Sequence, residues 1–271
     1  MKLCVVGLLM AAVSTISVAA QAADGPEAIK ARGTLVVGVK PDYRPFSYRD
    51  PQGALVGIEP DLAADIAKRL GVKLELVPVV SSNRIEFLQQ GKVDLLIATI
   101  SDKPERRRVI QAIDPPYYAD FVNVLLLKKS GIKDWSELKG KPVCATAGAW
   151  YNKTIAQTYG AEPLAFDGSE KALFAMKQGN CVGYLYDQTF LQGRMLDDEW
   201  KNDFAMPLKG ILETPWIMAV AKGNDALAQV VVDATKAWAK SGLVVDEEKK
   251  WGITPTAYTL GMHQQAGGDA K

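Results

Sequence analysis

Between residues 34 and 100 the chain alternates two kinds of apolar pattern, and this alternation restricts the fold more than any other feature. Thr34–Val39 is a short, nearly continuous apolar run rich in β-branched residues, which predicts a buried strand. Leu62, Ile66 and Leu70 then recur every four residues, with Ala63 and Ala67 beside them. That is one face of a helix, and Gly71 ends it. Residues 72–80 predict a second strand, Leu74 and Leu76 alternating with Lys73 and Glu75; residues 83–90 predict a short helix and 93–100 a third strand. Tyr43 to Tyr48 read as an aromatic turn and Asp50-Pro51-Gln52-Gly53 as a tight turn. Asp61 reads as a helix N-cap or first-turn acid. Strands separated by helices predict an α/β protein with parallel pairing.

The rest of the chain repeats the pattern. Strands are predicted at 122–127, 143–146, 163–166 and 181–186, with a return strand at 216–220. Helices are predicted at Trp135–Leu138, Tyr151–Tyr159, 169–178 and 226–240. Ala172, Leu173 and Met176 face inward, and Gly179 ends their helix. The tail from Gly261 is rich in Gly and Gln and predicts a frayed end. There is no short repeat and no low-complexity linker.

At 271 residues the chain has room for about two domains. It carries 32 basic and 31 acidic residues, a balance that argues against a nucleic-acid binder and against disorder. A single histidine, His263, speaks against histidine-based acid–base chemistry, and no zinc pattern or other metal or cofactor motif is present. Lys2, the apolar residues 3–20 and Ala20-Gln21-Ala22 predict a signal peptide over residues 1–22, cleaved after Ala22. A membrane anchor is the alternative, and the small-residue end favours cleavage. Cys4 precedes the apolar core, so it is no lipid-attachment cysteine. Lys2 is the only charged residue of this leader, so the remainder is formally neutral. No later segment is long and apolar enough to span a membrane, so an exported, soluble, monomeric protein is expected. Cys144 and Cys181 remain, each at the end of a strand-like run. In an oxidising compartment they predict one disulfide, with two buried thiols as the alternative.

Patterning by itself stops at an exported two-domain α/β protein. The motifs add a resemblance. Val56-Gly57-Ile58-Glu59-Pro60-Asp61-Leu62-Ala63-Ala64-Asp65-Ile66-Ala67 resembles the signature of the bacterial extracellular solute-binding proteins, and more narrowly of the polar-amino-acid-binding family of ABC importers. Tyr43-x-Pro45-Phe46-Ser47, residues 93–99, Pro104-Glu105-Arg106, Pro116-Tyr117-Tyr118, Asp134-Trp135-x-x-Leu138-Lys139-Gly140 and Trp251-Gly252 follow the same family in order. The resemblance implies a two-lobe, type II periplasmic-binding-protein-like fold with two hinge strands and a ligand cleft. Residues 23–119 and 217–261 would form lobe 1 and 124–212 lobe 2. The crossovers would be 119–123 and 213–216, and the tail 262–271.

The resemblance also implies site residues. Arg106 falls on the family's carboxylate-binding arginine when counted forward from the strand at 93–100. A guanidinium offers two parallel donors and stays charged when desolvated. Counting back from Tyr117 puts Arg107 there instead, and a solvated basic run is the plain alternative. Thr99 and Ser101 occupy the backbone and hydroxyl contact positions. Asp187 stands where the family holds the substrate's α-ammonium; a helix N-cap is its other reading. Gly148-Ala149-Trp150 replaces the usual Gly-Ser/Thr-Thr, keeping amide donors, losing hydroxyls and gaining an indole that either walls the pocket or packs in its lobe. Tyr43 matches the ring that covers the ligand side chain, Ile58 the opposite face, and Tyr117 the cleft near the hinge; core packing is the alternative for each. Lys40 stands where relatives that bind basic side chains resemble one another in having an acid. It therefore points to a neutral or acidic amino acid, unless it is an exposed strand-end lysine. Glu59, Asp61 and Glu105 read as helix-end acids.

The implied function is capture of an amino acid by lobe closure and its delivery to a membrane ABC permease in the periplasm, with no chemistry and no nucleic acid. One alternative is a secreted enzyme that resembles cyclohexadienyl dehydratases, with Glu59 or Asp187 as general acid. The other is a ligand-sensing accessory protein.

Overall fold

The computed structural model describes residues 25–195 and 198–269. The signal-peptide reading, its cleavage after Ala22, and Cys4 lie outside the described residues.

Among the described residues the main sheet has ten strands. On one side Thr34–Val39 lies between Lys73–Pro78 and Leu95–Ser101, all parallel. On the other side Pro142–Thr146 lies between Glu162–Phe166 and Gly183–Asp187, again parallel. Two long strands, Tyr118–Leu127 and Ile211–Val220, join the trios. They pair antiparallel with each other, Trp216 opposite Tyr118 and Thr214 opposite Asp120. Each also pairs antiparallel with the neighbouring trio. Both begin earlier than the apolar runs predict, because Asp120, Asn123, Glu213 and Thr214 interrupt the pattern. Their polar groups find local partners: Asp120 accepts from the N–H groups of Phe121 and Thr189, at 2.8 and 2.9 Å. The aromatic turn at 43–48 is part of a small three-stranded sheet, Asp42–Tyr43, Ser47–Arg49 and Leu55–Val56.

The predicted helical face is present in Ile58–Leu70, where Leu62, Ala63, Ile66, Ala67 and Leu70 are all buried. Burying each leucine or isoleucine contributes roughly 1.5–3 kcal/mol. The N-cap is Gly57, so Asp61 is a first-turn acid; it accepts from Lys250 Nζ and Trp251 Nε1, both at 2.7 Å. Gly57 has φ +133°, and a Cβ there would meet the carbonyl oxygens of Pro45 and Phe46 at about 2.6 and 2.5 Å.

The expectation of a frayed tail is corrected. Ala257–Gln265 is a helix capped by Thr256, whose side chain accepts from Thr259 N–H. It packs on the helix Asp225–Ser241, and His263, 4% exposed, places Nδ1 2.8 Å from Ala239 O. The cap and this tertiary contact outweigh the glycines that follow. Cys144 and Cys181 form the disulfide, Cα to Cα 5.5 Å, both buried. Among the described residues no helix is long and apolar enough to cross a membrane.

Candidate functional site

The cavity that gathers charged groups lies at the C-terminal ends of the parallel strands, where open α/β sheets place ligands. Leu95–Ser101 delivers Thr99 and Ser101, and the short helix Pro104–Arg107 that follows delivers Arg106. The loop after Pro142–Thr146 delivers Ala149 and Trp150, and the last residue of Gly183–Asp187 delivers Asp187. These predicted residues share one small hollow of about 10 Å³. A larger hollow of about 550 Å³ opens beside Arg44, Arg194 and Trp251, but it does not bring together a buried cation and a buried anion.

Arg106 is 8% exposed; Nη1 donates to Ser101 O at 2.9 Å and Nη2 to Gly148 O, across the hollow, at 3.3 Å. Burial first, then repulsion from Arg84, lowers its pKa to about 9, which leaves it cationic at neutral pH. Arg107 points elsewhere. It makes paired hydrogen bonds to both oxygens of Asp102 and of Asp114, at 2.5–2.9 Å. Asp187 is at the N-cap position of Gln188–Arg194, yet its side chain makes no capping bond. Instead Tyr43 Oη donates to its Oδ2 at 2.9 Å. Burial raises its pKa, opposed by Lys40 and by hydrogen bonds from Tyr43 and Tyr151.

Gly148 has φ +79° and lies against the chain at Ser81–Ser82, where a Cβ would come within 2.7 Å of Ser81 O. Trp150 both lines the hollow and packs: its ring lies against Tyr151 and under Lys103 Nζ, 3.2 Å from the centroid.

Four predicted residues stand behind the wall instead of lining it. Tyr43, Ile58 and Tyr117 are fully buried. Lys40 is not an exposed strand-end lysine: it is 2% exposed, its Nζ donates to Tyr186 Oη, and it sits over the rings of Tyr43 and Tyr186 at 4.4 and 4.9 Å. Burial lowers its pKa to about 8, against attraction from Asp42. Glu59 is in the first turn of Ile58–Leu70, as read from the sequence, but its carboxyl has further partners. Its carboxyl is fully buried and accepts from Thr99 N–H at 2.8 Å and Tyr117 Oη at 2.6 Å. Burial raises it to about 7, the two hydrogen bonds opposing.

Ser81, Arg84, Tyr151 and Tyr186 line the hollow without having been read from the sequence. Arg84 carried a signal. It opens the helix Arg84–Gln89 just past the end of the strand Lys73–Pro78, and a cation is unfavourable at a helix N-terminus unless something else holds it. Its Nη1 donates to Ala98 O and, at 3.1 Å, to Thr99 O. A guanidinium and a carboxylate in one buried hollow complement the two ends of a zwitterion. Among the described residues no cluster of His, Cys, Asp and Glu could hold a metal ion.

The model of the bacterial extracellular solute-binding proteins, family 3, matches residues 35–254. The glutamine-binding protein of an ABC transporter from Bacillus subtilis (strain 168) is 32% identical over 230 residues, 83% of each chain. Among solved structures, a solute receptor for L-cysteine from Neisseria gonorrhoeae superposes with TM-score 0.79 at 28% identity, covering 84% of this chain and 94% of the other. An ancestral amino-acid-binding protein described as a precursor of cyclohexadienyl dehydratase gives TM-score 0.74 at 28% identity, covering 83% and 98%.

Proposed function

The chain belongs to the bacterial extracellular solute-binding proteins, family 3, with their two-lobe type II α/β fold and amino-acid-binding role in ABC transport, and from that premise we propose how it holds its ligand. Lobe 1 comprises residues 23–119 and 217–261 and lobe 2 residues 124–212, joined through 119–123 and 213–216. The amino acid enters between them. Arg106 of lobe 1 takes the carboxylate, Asp187 of lobe 2 takes the ammonium, and the ligand thereby favours the closed state. The observation that carries this reading is that Arg106 and Asp187, from opposite halves, line one hollow. The closed monomer, exported after cleavage at Ala22, then docks on its membrane permease.

The side chain it accepts is neutral or acidic rather than basic. Arg84 lines the hollow and Lys40 stands behind Tyr186, so two cations besides Arg106 face a basic side chain with repulsion. Of the two candidate acids for a dehydratase-like elimination, Glu59 lies behind Thr99 and Tyr117 and does not line the hollow, and Asp187, which does, is the residue that this reading gives to the ligand's ammonium.

Mass spectrometry of small molecules released on denaturing the purified protein tests the class, and a neutral or acidic amino acid is the expected product. Arg106→Ala should abolish its calorimetric binding, whereas Arg107→Ala should leave affinity within about threefold and lower Tm. The reverse pattern would move the carboxylate site to Arg107.

A further inference from the structure

One peptide unit at the rim of the hollow is held at both ends by buried ionisable groups. Thr99 has φ +47°, a conformation in which a β-branched residue is sterically strained. It lies where the pairing of Leu95–Ser101 with Ile211–Val220 shifts register, between Ile217 and Ala219. Its N–H donates to Glu59 Oε1 at 2.8 Å and, at a longer 3.2 Å, to Tyr117 Oη. The carbonyl of the same unit, Ala98 O, accepts from Arg84 Nη1. The peptide dipole therefore stands between a carboxyl at its positive end and a guanidinium at its negative end. Tyr117 Oη fixes the carboxyl by donating to the same oxygen at 2.6 Å.

We infer that Glu59 is a positioning residue of the ligand site: by accepting the Thr99 N–H it sets the orientation of the Ala98–Thr99 peptide, and through that peptide it seats Arg84 in the hollow. This rests on the reading of the hollow as the ligand site. Turning the peptide over would carry Thr99 to negative φ and relieve its strain. It would also aim an N–H at Arg84 and a carbonyl at Glu59, removing the nearer of the two carbonyl acceptors on which Arg84 sits. The strained orientation persists because Glu59, itself fully buried, takes the N–H at shorter range than Tyr117 Oη does. Arg84, 3% exposed, would be left with the longer bond to Thr99 O at 3.1 Å. Glu59 does not line the hollow and acts on it through this backbone unit and through its charge on Arg84.

Crystal structures of Glu59→Ala and Glu59→Gln, with calorimetry using L-glutamate and L-glutamine as probes, test the inference. In Glu59→Ala we expect Thr99 at negative φ, Arg84 withdrawn from Ala98 O, and at least a tenfold loss of affinity for whichever probe the wild type binds. Glu59→Gln keeps an acceptor and should retain the wild-type Thr99 conformation and affinity within about threefold. Thr99 still at positive φ with Arg84 in place in Glu59→Ala would overturn the inference, as would equal affinity losses in the two variants. Should Glu59→Ala fail to fold, Glu59→Gln decides alone: a reversed peptide with undiminished binding refutes the role. If the wild type binds neither probe, the reading of the ligand class is weakened, while the Thr99 conformation in the variants still judges Glu59.

Discussion

At the scale of single residues, several buried ionisable groups lie away from their ordinary pKa, and the linkage has a definite sign. Glu59 is raised to about 7 and Asp120 to about 8, both by burial. Between about pH 5 and 8 the folded chain therefore retains protons that the unfolded chain, with carboxyls near 4, has released. Stability must fall as pH rises through that window. Lys40 is lowered to about 8, so above pH 8 the unfolded chain binds the extra proton and further alkalinity favours folding until about pH 10.5. Tm should thus decline from pH 5 to a minimum near 8. Glu59→Gln should remove the part between 5 and 7, on the order of 3 kcal/mol. A thermal scan series with Tm constant across pH 5–8 would contradict this. The sequence puts Arg106 in a recognisable motif just past a strand and Asp187 at a strand end, and both line the hollow. Arg84 and Tyr186 are not legible there, since each depends on a partner distant in sequence that no periodicity encodes: the backbone carbonyl Ala98 O for the one, the Lys40 side chain for the other. Lys40 was correctly singled out as unusual, but burial among tyrosines places it behind the wall.

At the scale of elements, the parallel strands and the helix Ile58–Leu70 could be read directly, because apolar spacing follows the face that each buries. The helix Gln188–Arg194 escaped that reading, as its buried Phe190 and Leu191 are too few to set a period. So did Ala257–Gln265, whose stability comes from its cap and from docking. The disulfide acts at this scale too. It joins Pro142–Thr146 to the segment that enters Gly183–Asp187, the two strands that carry the Gly148 loop and Asp187 at their far ends. Closing a loop with sequence separation 37 stabilises by about 4 kcal/mol in the chain-entropy model. Cys144→Ala/Cys181→Ala should lower unfolding free energy by about that amount in a denaturant titration. A loss under ~1 kcal/mol would mean that packing between the strands suffices without the link.

At the scale of the whole molecule, the two strands Tyr118–Leu127 and Ile211–Val220 carry the chain between halves that otherwise meet through side chains and loop backbone. Those meetings cluster around the hollow: Tyr43 with Asp187, Arg106 with Gly148, Asp42 with Ser169 N–H at 2.6 Å and Ser82 with Asp167 at 3.2 Å. A guest that spans Arg106 and Asp187 adds its own bridge to this set. Asp187→Asn should therefore weaken an amino acid more than its deaminated analogue, and should reduce the contraction that scattering detects on binding. Equal losses for both compounds would remove Asp187 from the bridge. A close backbone approach across that seam is Gly148 against Ser81–Ser82. There the spacing between two main chains is set by hydrogen atoms alone, and any other amino acid would bring a carbon to 2.7 Å from a carbonyl oxygen. A methyl group in place of one Gly148 hydrogen would wedge these two stretches of main chain apart.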